Sequence, residues 1–420
     1  MKKLLVLAVA MMMTFALALP ATAQDKADWE FYGSVRMWTA YEAVDDNTPP
    51  QLASQGVSGS FFQVGTTVAK AINYGTNPAD DSDVVWSLQG NSRIGANVKW
   101  GNVGGRFEYG STPNLRLLYG TWDFGPGVLT VGQDYGAYFY LVSNMCGVGG
   151  AECNGIGFGS IYSGRTPQVK LTMGGFKLDL AQAQQTSSYS ATPGLTLATI
   201  TPATVLLSPN SGLTSTTSPT AFATDTDTTF PKIEASYTFN LGPGQFFIGG
   251  VYNTYREIFN VNNNEQKHTV DGWALGAGTK LGFGPFYVNA TLQYAHNPNN
   301  SGAGPYTIYP SVMLYDPTTD RDESAKYWAG QIILGFKLSD AIAFEGGLIM
   351  QHGEVDSLQD YGKFKQTTYT YYVQSTWSPV KNVYFVPEIG YIDFNKLSIQ
   401  SGDLNYGGTF WLGIKWMINF

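Results

Sequence analysis

Charge is scarce in this chain. Only 13% of its 420 residues are Asp, Glu, Lys or Arg, about half the share of an ordinary globular protein. Basic residues number 24 against 32 acidic ones, a formal net charge of −8. The cationic face that a phosphate-backbone binder needs is therefore missing, and no nucleic acid is expected as a partner. Histidine occurs three times, as His268, His296 and His352, and cysteine twice, which is thin material for a metal centre or a nucleophile–base pair. Apolar runs long enough for membrane helices do not recur, and mean hydropathy is −0.11, which excludes a helical bundle in lipid. Disorder is excluded from the other side, because 26 Tyr, 24 Phe and 10 Trp offer too much surface to leave in water. An all-β chain, soluble or membranous, satisfies all of these exclusions.

What is present begins with a targeting pattern. Lys2 and Lys3 precede an apolar run from Leu4 to Leu19, followed by Pro20 and then Ala21-Thr22-Ala23. This order of charged, apolar and small residues predicts a secretory signal peptide over residues 1–23, leaving a single domain over 24–420. The mature chain then carries 22 − 32 = −10 charges. Export sets the reading of the cysteines. Cys146 and Cys153 lie in one glycine-rich stretch, and in an oxidising compartment a disulfide that pinches this loop is expected, with free thiols as the alternative.

The mature chain alternates with period two. From Trp86 to Trp100 one face reads Trp86, Leu88, Gly90, Ser92, Ile94, Ala96, Val98 and Trp100, and the other Ser87, Gln89, Asn91, Arg93, Gly95, Asn97 and Lys99. Such strands meet two different environments. A soluble sandwich shows the same alternation, so the connections have to decide. Short turns rich in Gly or Pro fall at 101–104, 123–127, 174–175, 241–244, 282–285, 339–341 and 378–382. Between them stand longer connections at 45–83, 136–164, 186–229, 256–267, 296–326, 353–365 and 393–406, with one short exception at 110–114. One plain rim and one elaborate rim is how outer-membrane barrels are built. Counting the segments predicts sixteen strands; alternation in 62–68 and 195–207 leaves eighteen as the alternative. Rings at strand ends (Trp29, Trp86, Trp100, Trp273, Phe286, Tyr294, Trp328, Phe336, Trp377, Phe385 and Tyr391) suit the girdles of such a barrel.

The last segment is the sharpest signal. Phe410, Leu412, Ile414, Trp416, Ile418 and Phe420 make one unbroken apolar face, and the chain ends on that Phe. Here the chain resembles the Gram-negative general porin family: 16-stranded, trimeric diffusion porins of the outer membrane. The likeness extends to Asp28-Trp-Glu-Phe-Tyr-Gly-Ser-Val-Arg36, Leu129-Thr-Val-Gly-Gln133 and Arg165-Thr-Pro-Gln-Val-Lys170. The resemblance implies that Phe410, Trp416, Ile418 and Phe420 carry the signal read by the barrel-assembly machinery, after delivery by periplasmic chaperones. It also implies contact with outer-membrane lipid and lipopolysaccharide, and a homotrimer, although 110–114 is too short for the latch that the family's second loop commonly makes.

The polar faces carry Arg36, Arg93, Lys99, Arg106, Arg116, Lys170, Lys177, Lys232, Lys280 and Lys337 against Glu30, Glu42, Glu108, Asp179, Glu234, Glu345 and Glu388. A soluble core does not hold so many charges, whereas a water-filled lumen does. By resemblance, the third outer loop folds into that lumen opposite a basic wall, here Arg36, Arg93, Arg106, Arg116 and Lys170. The loop side would be Asp134, Tyr138, Phe139, Tyr140 and Glu152. With Glu152 the only acid inside the loop, the expected field is weak on the acidic side, giving a mild anion preference or, on the blander reading, cations simply paired with Glu30, Glu42 and Glu108. Tyr138, Phe139 and Tyr140 either line a path for a specific solute such as a sugar, phosphate or small organic acid, or pack the loop.

The outer loops are acidic: Asp45, Asp46, Asp80, Asp81, Asp83, Asp225, Asp227, Asp316, Asp320, Asp322 and Glu323. Asp320-Arg-Asp-Glu323 offers oxygens of the kind Ca2+ takes, but without the EF-hand spacing or glycine, so a solvated acidic loop is the favoured reading and no cofactor is expected. The rival classes are a barrel-borne enzyme, for which three isolated His are a weak basis, and a structural or adhesive surface protein.

Overall fold

The computed structural model describes residues 27–44, 82–111, 114–150, 153–185, 189–190, 223–228, 230–261, 264–304, 312–316, 320–356, 363–399, 402–405 and 407–420. Sixteen strands form one antiparallel barrel. They are β1 (Asp28–Val44), β2 (Ser82–Leu88 continued by Arg93–Trp100), β3 (Val103–Gly110), β4 (Leu115–Asp123), β5 (Val128–Tyr135), β6 (Arg165–Met173), β7 (Phe176–Ala181) and β8 (Ala223–Asp227 continued by Lys232–Leu241). The second half comprises β9 (Gly244–Val261), β10 (Asn264–Phe283), β11 (Phe286–His296), β12 (Lys326–Lys337), β13 (Ile342–Asp356), β14 (Lys363–Val380), β15 (Val383–Asp393) and β16 (Gly408–Asn419). Each strand pairs with the next, and β16 returns to β1 in the register Ser34↔Asn419 through Val44↔Thr409. No edge is left open, so every backbone group inside lipid finds a partner. The terminal residue completes the ring: Phe420 N–H donates to Gly33 C=O at 3.0 Å and Gly33 N–H donates to Phe420 C=O at 2.6 Å. The Phe420 ring occupies the space where a Cβ on Gly33 would stand.

The two faces divide as the alternation predicts. On β16, Leu412, Trp416, Ile418 and Phe420 point outward, while Thr409, Trp411, Gly413 and Lys415 are buried inside. Outward rings meet across strands: Phe286 with Phe336 at 4.9 Å, Trp377 with Phe385 at 5.4 Å, and Phe385 with Trp416 at 5.2 Å between centroids. Phe410, the remaining residue of the expected assembly signal, is half-buried on the same outer face.

Several expected loops are strand. The connection expected at 256–267 is largely a continuation of β9 and β10, which stay paired to Val261↔Asn264. Its Asn, Gln, Glu and Lys residues read as a loop because polar residues stand on both faces of this part of the hairpin, the buried Glu257 among them. Similarly β13 runs to Asp356 and β14 starts at Lys363, narrowing the loop expected at 353–365, and within 393–406 the segments Lys396–Ile399 and Gly402–Asn405 pair as a hairpin. The stretches 62–68 and 195–207, on which an eighteen-stranded count depended, lie outside the described residues, as do 1–23. The connection between β3 and β4 is short, as read.

Candidate functional site

The lumen is entered by the loop between β5 and β6, residues 136–164, whose glycines make its path feasible. Gly147, Gly149, Gly150, Gly155, Gly157 and Gly159 all have positive φ, a region where other residues are strained. At Gly150 a Cβ would also fall on the Trp38 indole. The loop runs along the inner wall and is held there by four carboxylates. Glu234 on β8 accepts from Tyr138 N–H at 2.8 Å and Ser163 Oγ–H at 2.9 Å. Glu345 on β13 accepts from Asn144 N–H at 3.0 Å. Glu388 on β15 accepts from Cys146 N–H at 2.8 Å, Gly147 N–H at 2.9 Å and Trp411 Nε1–H at 2.8 Å. Glu42 on β1 accepts from Gly149 N–H at 2.6 Å. Wall amides take the loop's carbonyls: Asn289 donates to Val142 at 2.9 Å, Gln293 to Ser160 at 3.2 Å and Gln89 to Gly150 at 2.8 Å. Each of these acids accepts one or two loop N–H groups that would otherwise be unpaired inside the barrel, so the acids are the principal anchors.

Behind these anchors the loop packs an apolar core inside the barrel. Tyr138, Tyr140, Val142, Met145, Val148, Phe158 and Ile161 join inward-facing Trp38, Phe247, Tyr327, Ile333, Ile349, Tyr372 and Trp411 in one buried cluster. Tyr140 stacks on Phe247 with centroids 4.8 Å apart, and Lys280 lies over its other neighbourhood at 4.9 Å from the ring centre. Fully burying one such side chain stabilises by roughly 1.5–3 kcal/mol. Burial pushes the Tyr140 hydroxyl up to about 12 and moves Tyr138 in the same direction, so both stay neutral. Cys146 and Cys153 form the expected disulfide, and both are buried in the same cluster.

The opposite wall is cationic. Three guanidiniums converge on Glu108: Arg93 at 3.5 Å, Arg106 at 3.0 Å and Arg116 at 2.8 Å. Tyr32 also donates to that carboxylate at 2.9 Å. Arg36 donates from Nε to Ser34 Oγ at 2.8 Å, and among the described residues it has no carboxylate partner. Arg93 and Arg116 are its neighbouring like charges. Among the described residues the arc sets four guanidiniums beside the Glu108 carboxylate. Lys170, further along on β6, pairs with Asp134.

Next to Arg116 stands a cluster of rings. Its Nη2 donates to the Tyr135 hydroxyl at 3.3 Å. Tyr135 lies 4.8 Å from Phe139 and 6.3 Å from Tyr162, and Phe139 lies 5.9 Å from Tyr162, centroid to centroid. Arg165 lies over the Tyr135 ring at 5.6 Å. All four are half-buried.

The expected site residues therefore separate into groups. Arg36, Arg93, Arg106 and Arg116 come together, while Lys170 and Asp134 neutralise one another. Tyr138 and Tyr140 pack the loop instead of lining a path, and Phe139, between them, turns to the cationic side. Glu152 lies outside the described residues, and every other loop residue is uncharged. Of the acids on which the blander pairing rested, only Glu108 neutralises the arc. Glu42 holds the loop, and Glu30 meets Asn97 at 3.4 Å. The anchoring role of Glu42, Glu234, Glu345 and Glu388 escaped sequence reasoning, which placed them on the lumen face without a partner. Tyr135, Tyr162 and the role of Arg165 were missed as well; the run of rings flanking the loop, Tyr135 to Tyr140 and Tyr162, was the available signal.

Elsewhere, His268 stacks on Tyr315 at 3.7 Å, His296 on Trp273 at 5.9 Å, and His352 Nδ1 meets Thr367 Oγ1 at 2.8 Å. Within Asp320-Arg-Asp-Glu323, Asp320 accepts from the Tyr315 hydroxyl at 3.0 Å and Glu323 pairs with Arg321 at 3.1 Å. Asp45, Asp46, Asp80 and Asp81 lie outside the described residues.

A ring of sixteen antiparallel strands closed end to end, apolar outside and polar within, with a loop folded into the lumen, has the architecture of the outer-membrane porins. The outer membrane channel DcaP of Acinetobacter baumannii has this fold: TM-score 0.55 and 15% identity over 95% of this chain and 100% of that one. OmpT of Vibrio cholerae matches with TM-score 0.53 and 11% identity over 94% of this chain and 99% of that one. A trimer form of OmpT gives 0.51 and 13%, covering 94% and 100%. At these identities the likeness is one of fold. No family model matches the chain, and no curated protein matches it in sequence.

Proposed function

We propose that this protein is a porin of the Gram-negative outer membrane: a water-filled channel for passive diffusion of ions and small hydrophilic solutes, favouring anions. The observation that carries this reading is the cationic arc on β1 to β4 inside a closed barrel whose lumen loop is uncharged in all its described residues. A net positive wall flanked by low-dielectric protein concentrates anions and repels cations. The planar-bilayer reversal potential under a KCl gradient tests it. A chloride-favouring potential is expected, and a clear potassium preference overturns the anion reading.

Export through a cleaved leader over residues 1–23 and assembly as a homotrimer belong to the same proposal; the trimer form of OmpT supports the second. Light scattering of the detergent-solubilised protein at monomer mass would refute trimerisation. A second reading, a substrate-specific channel, is favoured by the apolar core that the loop packs inside the barrel, which fills part of the lumen. Concentration-dependent block of current by one solute class distinguishes it from general diffusion.

A further inference from the structure

We propose that Cys146 and Cys153 form a redox switch on the channel: the inner wall is shaped to seat the loop tip in its disulfide form, and the dithiol form releases that tip into the lumen as a flickering gate. The inference rests on the channel reading and adds a control to it. Three features carry it.

The first is a seat that touches the bond itself. Gln89, fully buried where β2 bends, donates from Nε2 to Cys153 Sγ at 2.7 Å and to Gly150 C=O at 2.8 Å, and the same Nε2 lies 3.6 Å from Cys146 Sγ. One amide nitrogen thus meets both sulfurs and the turn between them. Glu388 takes the N–H of Cys146 itself, and the Trp38 indole fills the space beside Gly150. Both cysteines are buried in this seat. Two unbonded thiols need a van der Waals gap between them, and a closely packed site supplies one only by moving a neighbour.

The second is backbone conformation. Cys153 and Asn154 have φ of 56° and 63°, in the left-handed region that residues with a side chain avoid. Two such residues in succession persist where their surroundings over-determine them. The cross-link does so on one side, and the hydrogen bond from Gly155 N–H to Met145 C=O at 3.0 Å does so on the other. Without the cross-link, the second contact alone has to hold the strained pair.

The third is the shortness of the closed segment, whose ends are 7 positions apart in sequence. By loop-closure entropy, cutting the bond makes the free tip about fiftyfold richer in conformations, and the seated form is disfavoured to match. The wall lies behind the tip, so a released tip moves into the lumen.

Setting the switch is a thiol–disulfide exchange. One cysteine thiolate attacks the disulfide of an oxidoreductase and forms a mixed disulfide; the second thiolate displaces the oxidoreductase, which departs as a dithiol carrying the two electrons and two protons of the cysteine thiols. Reduction by a dithiol is the same exchange reversed. With both sulfurs buried in the seat, each direction runs through the undocked loop.

The test uses the refolded, oxidised full chain in planar bilayers. Current in KCl is measured first; absence of any current refutes the channel reading itself. Dithiothreitol is then added, and the thiols formed are counted by maleimide labelling under denaturing conditions. At two thiols per chain the fraction of time spent in brief closures is expected to rise at least about tenfold, inside the fiftyfold range of the loop-closure entropy, and re-oxidation with diamide is expected to restore steady current. Steady current in the fully reduced protein overturns the switch and leaves the channel reading standing. Cys146→Ser/Cys153→Ser is expected to flicker without dithiothreitol and to ignore it. A dithiothreitol response in that chain, which has no other cysteine, overturns the proposal. Gln89→Leu keeps the bond and removes the amide of the seat, so closures are expected with the disulfide intact, and steady current counts against the seat. Glu388→Ala is expected to speed reduction of the folded protein at least about tenfold, because reduction follows the opening equilibrium. An unchanged rate, or a pair that resists reduction in both chains, counts against the proposal.

Discussion

Replacing Glu388 by Ala tests whether wall carboxylates hold the lumen loop. The side chain is 2% exposed and accepts three hydrogen bonds, two from loop amides and one from the Trp411 indole. In Glu388→Ala all three donors stay buried with no acceptor while the loop is docked, and they reach water when its tip lifts away. An unsatisfied buried donor costs about 1–3 kcal/mol, so the lower bound for three is about 3 kcal/mol in favour of opening. At about 1.4 kcal/mol per decade this is more than a hundredfold in the opening equilibrium. Hydrogen exchange reads that equilibrium directly. The informative probe is the amide of Gly149, whose own acceptor, Glu42, is untouched. Its exchange is expected to accelerate about a hundredfold in Glu388→Ala, and less in Glu388→Gln, which keeps one carbonyl acceptor. Amides in β16 should not change. A Gly149 rate within about threefold of the parent would refute the anchoring argument.

Other perturbations follow from the same geometry. Glu108→Gln removes the Glu108 carboxylate from the arc and is expected to raise the chloride-to-potassium permeability ratio while lowering thermal stability; a fall in that ratio contradicts the electrostatic reading. Gly150→Ala combines a positive φ of 52° with a Cβ set on the Trp38 indole, so the loop tip should be displaced and exchange at Gly149 should rise; an unchanged rate argues that the tip does not dock there. Deletion of Phe420 removes the ring over Gly33 and the two backbone hydrogen bonds that end the seam, and the yield of heat-modifiable folded barrel on gels should drop. Equal yields from the full and shortened chains would count against this.

The outer half of the fold was legible because lipid and water impose opposite demands on neighbouring residues. Trp86 to Trp100 and Phe410 to Phe420 can be read in one dimension, and their faces stand as read. The inner core was not legible, for the same reason. On β12, Trp328, Ile332 and Leu334 point out while Tyr327, Ala329 and Ile333 point in, and both sets are apolar, so no pattern distinguishes packing against lipid from packing against a loop. The cationic arc was found because arginine has few other places to be in a barrel strand. The loop's anchors were hidden because the partner of each acid is a backbone N–H, which leaves no trace in residue type. The tips of β9 and β10 were misread as loop because charged and apolar residues share both faces: Glu257 is buried beside Phe259 on one, and Arg256 stands beside Ile258 on the other.

The tip of the lumen loop has a bearing on how the barrel is put together. Its contacts are Glu388 on β15, Lys415 on β16, Glu42 and Trp38 on β1, and Gln89 where β2 bends. These residues come from opposite ends of the chain and meet only when the last strand finds the first. The tip is thus a staple driven across the joint from within, and the disulfide that shapes it ends up 5% and 3% exposed, out of reach of any oxidising enzyme. Enzymatic oxidation therefore acts on the undocked loop. A chain whose loop is still reduced arrives at closure without the shaped piece that fastens its two ends together.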